Sequence, residues 1–175
     1  MIKENNGMFY GNVNEYLLLR VPEVKDEIEA INKHWTESNK NSKFALKEKF
    51  EDIWVTHEEL VLNKNWEEQN YYPNIVPPHV FYGDVLNEFV FKLLEENKEK
   101  ELLQRIFAFY EEMAICGDDN VENVLQVTLL EYLWDDFTVL TRAYRYMHPK
   151  TKKLCDELQY YFNPFTPVKL PEDEE

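Results

Sequence analysis

The chain has 175 residues, with 34 acidic side chains against 19 basic ones, a formal charge of −15 and an apolar fraction of 44%. That size and hydrophobicity suit one folded domain with a real core and exclude wholesale disorder. The charge argues against nucleic-acid binding, which needs basic stripes to meet phosphate, and it suits a basic protein partner.

Glycine is scarce. Gly7, Gly11, Gly83 and Gly117 are the only four, where usage near ~7% would give about twelve. This disfavours turn-rich sheets, and no G-x-G-x-x-G or P-loop pattern occurs. The N-terminal "MIKENNGMFYGNVNEYLLLR" lacks a basic segment followed by an apolar core of the signal-peptide kind. No apolar run approaches the ~18 residues of a membrane span. Cys116 and Cys155 form no C-x-x-C pair. The expectation is a cytoplasmic, reduced protein without membrane contact.

A short helix is expected over Val13 to Leu19, followed by a second over 21–35, "VPEVKDEIEAINKHW". There Pro22 suits a first helical position, and Val24, Ile28 and Ile31 fall at helical spacing. The polar "TESNKNSK" (36–43) reads as a loop. Over 44–70 the apolar period is mixed; "FALKEKFEDIW" and "HEELVLN" read as short helices within a loop-rich insertion spanning 36–76. From Pro77 the signal strengthens. Phe81, Val85, Phe89 and Leu93 stand four apart, and Leu102, Ile106, Phe109 and Met113 repeat the pattern up to a stop at Gly117. Further helices are expected after "GDDN", over "FTVLTRAYRYM", and over "HPKTKKLCDELQYYF", with Leu154, Leu158 and Tyr161 on one side of the last.

These readings predict an all-α fold: one helical domain over 1–165, with an acidic, Pro-broken tail at 166–175. Short links between helices imply antiparallel neighbours. An antiparallel bundle and a short HEAT-like stack of helical hairpins both remain open.

Chemistry-bearing patterns fail their spacing tests. Ile31, Trp54, Val76 and Arg145 stand three residues before the four histidines, where a di-metal bundle needs Glu. "HEELV" (57–61) has Val61 where a zinc-peptidase helix needs its second histidine. No Gly-x-Ser-x-Gly elbow exists. No catalytic, metal or cofactor site is therefore expected. An enzyme built on a carboxylate cleft of Glu131, Asp135 and His148 is the alternative.

One charged position needs a partner. On a wheel of about 100° per residue, Glu131 falls between Val127 and Val124, among apolar residues. Asp135 lies one turn on. Arg142 and Arg145, in the acid-free "RAYRYMHPKTKK" (142–153), are the cations available, so a half-buried bridge from Glu131 to them is expected. The same basic stretch also suits neutralisation of acidic neighbours and capping of helix carboxyl ends. Asp118 and Asp119 read as an N-cap and a first-turn acid, and Asp135 and Asp136 as the end of one helix and the cap of the next. For contacts with a partner, the polar "NKNWEEQNYYPN" (63–74) offers Trp66, Tyr71 and Tyr72, ring types favoured as interface anchors.

"VFYGDVLNEFVFKLL", "FAFYEEMAICGDDNVENVLQVTLLEYLWDD" and "YRYMHPKTKKLCDEL", all within 77–157, resemble a family of small bacterial α-helical proteins of unassigned function. That family has an acid-flanked V-x-N-V-L-x-V-x-x-L-E-x-L helix followed by a Y-M-x-P-x-T turn. "LLLRVPEV" (17–24) is similar to its N-terminal helix pair. Some of its members are encoded near polymorphic toxins, so the resemblance implies an immunity-type protein that neutralises a basic toxin. The 36–76 stretch is longer than the family pattern, and Trp134 stands where it has a small residue.

Overall fold

The computed structural model describes residues 7–39, 43–46, 50–56 and 78–162. Two N-terminal helices open it. Helix α1 is Val13–Arg20; a single 3₁₀ turn, Pro22–Val24, leads into α2, Lys25–Asn39. Pro22 begins that turn because its fixed φ and missing N–H cost nothing there. Helix α2 runs on to Asn39, through residues that read as loop.

Where short helices were expected over 44–54, the chain forms an antiparallel hairpin. Strands β1 (Lys43–Leu46) and β2 (Phe50–Thr56) pair Lys43 with Thr56 and Ala45 with Trp54, and the register shifts between Ala45 and Leu46. Phe50, Ile53, Trp54, Val55 and Thr56 are the side-chain types that pleated surfaces favour. "HEELVLN" lies outside the described residues.

Five helices follow. Helix α3 runs without a break through Pro78–Phe81, Tyr82–Leu86 and Asn87–Glu96; α4 is Lys100–Ile115; α5 runs through Asp119–Asn123, Val124–Leu130 and Glu131–Leu133. Helices α6 (Phe137–Tyr144) and α7 (Pro149–Phe162) complete the set. Among the described residues the fold is all-α apart from the hairpin, and none of the helices is long and apolar enough to cross a membrane.

Helix α4 is the centre. Leu102, Leu103, Ile106, Phe107, Phe109, Tyr110, Met113 and Ala114 are all buried, which covers more than one face of the cylinder. It touches α1, α3, α5 and α7, so the helices pack around it as a bundle. In a solenoid each unit would meet only its neighbours. Phe107 lies edge-on to Tyr110 at 5.1 Å and stacks on Tyr146 at 5.9 Å. Helix α7 turns Thr151, Leu154, Cys155 and Leu158 inward, whereas Tyr161 is exposed rather than on the buried side.

The helix ends are satisfied by side chains at the positions the sequence suggests. Asp118 accepts from the N–H groups of Asn120 and Val121, and Asp136 from those of Thr138 and Val139. Gly117 takes φ +86° just past α4. Helix α3 ends in a left-handed Asn97, whose N–H reaches Leu94 O at 3.2 Å while Lys98 N–H reaches Leu93 O at 3.4 Å. The N-terminus of α7 is capped from another helix: Glu111 of α4 accepts from Lys150 N, Thr151 N and the Thr151 hydroxyl at 2.7–3.0 Å.

Candidate functional site

Two of these helices are irregular in the same way. In α3 the N–H of Asn87 donates to the carbonyl of Tyr82, five residues back; in α5 Glu131 donates likewise to Gln126. Both are π turns, which are rare and recur at functional sites.

The π turns explain the rows. In a regular α-helix four residues overshoot a full turn by about 40°, so three such steps swing a row by about 120°. A π turn holds more residues per turn and cancels that drift. Tyr82, Leu86, Val90 and Leu94 are accordingly all buried, as are Val121, Leu125, Leu129 and Leu133. The expected stripe of Phe81, Val85, Phe89 and Leu93 is thus displaced by one residue. Phe81 is buried, but Val85, Phe89 and Leu93 sit half-buried at the core's edge.

The same geometry straightens the outer rows. Asp84, Glu88, Lys92 and Glu96 are exposed along α3, and Asp119, Asn123, Val127 and Glu131 along α5, with Asp135 exposed just past its end. Helices α3 and α5 meet between these rows, and their contacts advance together. A Cβ at Gly83 would lie 3.6 Å from Thr128 Cγ2, His79 Nδ1 and Thr128 Oγ1 share a 2.7 Å hydrogen bond, and Phe91 lies edge-on to Tyr132 at 5.5 Å. The two helices therefore run in the same direction, as the three-residue links on either side of α4 require. For parallel right-handed helices, the positions after the contact row on α3 and before it on α5 emerge on one side. Those positions are the exposed rows, and the opposite positions are the buried ones.

The result is a groove. Its walls carry Asp84 and Glu88 on one side and Val127, Glu131 and Asp135 on the other. Its floor is Gly83 and Phe91 with Thr128 and Tyr132, all partly exposed, and Asn87 lies beneath them. Asn87 is buried and its Nδ2 donates to Thr128 O at 2.8 Å, which fixes the two π turns against each other. Tyr10 packs its ring at 6.2 Å from His79, and its N–H donates to Asp118. Burial holds the His79 imidazole below its ordinary pKa. On the core side Tyr82 is fully buried, and its hydroxyl has no hydrogen-bond partner among the described residues. Burial, then the neighbouring Tyr110, pushes that phenol well above its usual pKa.

The expected bridge from Glu131 is absent. Glu131 is exposed, and no ion pair joins it to Arg142 or Arg145 among the described residues. Arg142 donates instead to the carbonyls of Leu94 (2.9 Å) and Glu95 (2.7 Å), capping the carboxyl end of α3. Arg145 is exposed. The wheel failed because it assumed a constant angular step through a π turn, so Glu131 faces water and needs no buried partner. Lys150 does neutralise an acidic neighbour, Glu122, at 3.8 Å. No hydrogen bond or ion pair links Glu131, Asp135 and His148 among the described residues, and all three are exposed. Both cysteines are buried, and burial pushes the Cys155 thiol up to about 12. Among the described residues no group of three His, Cys, Asp or Glu is placed to hold a metal ion. Trp66, Tyr71 and Tyr72 lie outside the described residues.

Gly83, Asn87 and Thr128 were not singled out by sequence reasoning. The signal that finds them is the four-residue spacing itself, too long a period for an uninterrupted α-helix.

With this geometry, the match to a family model can be placed: residues 46–162, which include the hairpin's second strand and both π turns, match the family described as "Domain of unknown function (DUF7674)". The chain belongs to this family. The groove-bearing helices α3 and α5 thus lie within the DUF7674 domain, whereas α1 and α2 precede it. No curated protein and no solved structure matches the chain.

Proposed function

We propose that this chain is a protein-binding module whose partner is a basic protein. The observation that supports this reading is the outer face of the α3–α5 pair. Among the described residues, Asp84, Glu88, Glu131 and Asp135 stand exposed there against a single cation, Lys92, on a chain of net charge −15. Neither Glu131 nor Asp135 takes part in an ion pair among the described residues. Unpaired carboxylates on straight rows would steer a cationic surface onto one face and set its register. In its finer form the partner is a toxin that binding neutralises, as the resemblance to toxin-associated helical proteins implies.

The test is capture from a cell lysate with wild type and with the double reversal Glu88→Lys and Glu131→Lys. Basic proteins should be retained by wild type, released as salt rises, and lost with the reversal. Retention that neither salt nor the reversal alters would sink the reading. For the finer form, co-expression with the product of the adjacent reading frame in its genome should restore growth. Continued killing by a product that the chain demonstrably binds would rule out neutralisation.

A further inference from the structure

We infer that the groove between α3 and α5 takes an amphipathic basic helix of the partner, laid between the acidic walls and crossing closest at Gly83. This rests on the basic-partner reading and adds the shape of what is bound.

Three features of the groove select a helix. First, its walls are the parallel rows of two helices, and the gap above such a pair is where a third helix packs, with axes about 8–10 Å away. Second, the polar groups at the α3–α5 junction are already engaged, so they offer an extended chain nothing to pair with. An added strand needs donors and acceptors for its own backbone. Here Asn87 Nδ2 is engaged with Thr128 O, and Thr128 Oγ1 with His79 Nδ1. A helix satisfies its backbone internally and asks only for apolar contact and charge. Third, Gly83 is partly exposed and carries no side chain, and Thr128 is the group that a Cβ there would meet. Glycine at such a point lets another backbone approach closely. Further along, the Phe91–Tyr132 pair and Val127, 43% exposed, supply apolar surface for the helix's hydrophobic stripe. Lysines or arginines flanking that stripe would meet Glu88 on one wall and Glu131 on the other.

A fluorescent Leu/Lys peptide patterned as an amphipathic helix is the probe, titrated into the full chain beside a peptide of the same composition interrupted by prolines. Gly83→Ala should bind as wild type does, because its Cβ meets Thr128 at ordinary contact distance. Gly83→Leu should weaken the helical peptide about tenfold or more, and the proline-interrupted peptide should bind correspondingly less to wild type. Val127→Lys, at an exposed position, reads the same wall if Gly83→Leu fails to fold. Equal binding of the two peptides overturns the helical inference while leaving the basic-partner reading standing. Wild-type affinity in Val127→Lys, or in a folded Gly83→Leu, does the same. Unchanged affinity in the double variant Glu88→Gln and Glu131→Gln overturns the basic-partner reading itself.

Discussion

Helices α4 and α7 differ from α3 and α5 in how they use their residues. In α7 the buried positions are Thr151, Leu154, Cys155 and Leu158, spaced three, one and three as one stripe of a regular helix requires. In α3 and α5 the buried positions fall every four residues, and a π turn in each absorbs the mismatch. The regular pair is held by apolar packing and by one helix capping another through Glu111. The π-bearing pair is held by a polar junction, Asn87 and His79 on Thr128, and it turns two straight charged rows to solvent. Regularity serves the core and irregularity builds the outer face.

The comparison can be broken at its strongest point first. Phe107→Ala in α4 removes a fully buried ring that contacts both Tyr110 and Tyr146. It should cost about 3–5 kcal/mol in urea denaturation, the range for a core Phe truncation. A loss near zero would mean that α4 is not the packing centre. At the π junction, Asn87→Ala strips the Thr128 carbonyl of its side-chain donor and should cost about 1–3 kcal/mol. That variant should also loosen the α3–α5 pairing, so amide exchange in α5 should rise more than in α7. Equal acceleration in both helices would show that the junction is not a local clamp.

What could be read in the sequence follows the same division. The caps Asp118 and Asp136, the stop at Gly117, and the α4 row Leu102, Ile106, Phe109 and Met113 are local signals, and each is where the residues placed it. The basic stretch 142–153 was legible as a source of helix caps, whereas the bridge expected from Arg142 to Glu131 does not form, because capping depends on charge at a helix end while the bridge depended on the phase of α5. The rows of α3 and α5 were visible as four-residue spacings, but no residue announces a π turn, and a constant step placed Glu131 among apolar neighbours. The hairpin over 43–56 was missed for a related reason: its apolar residues fit neither period cleanly, and tertiary pairing settled the choice.

The smallest effect expected at the π junction is its dependence on pH. Burial depresses the His79 pKa in the folded state, and among the described residues no charged group is in its hydrogen-bond or ring contacts, which are Thr128 from α5 and Tyr10 from the N-terminal segment. As pH falls, the unfolded chain therefore takes up the proton first, near the ordinary value of about 6.5. Since the unfolded state then holds more protons, folding weakens as pH drops below that point, and the loss levels off once the lower folded-state value is passed. Protonation would also compel Nδ1 to donate to Thr128 Oγ1, where the neutral ring can accept from it instead. In His79→Gln this contribution should vanish. Urea midpoints measured between about pH 5 and 7.5 should then fall less steeply for the variant than for wild type. Parallel curves would show that the imidazole is not sequestered from water.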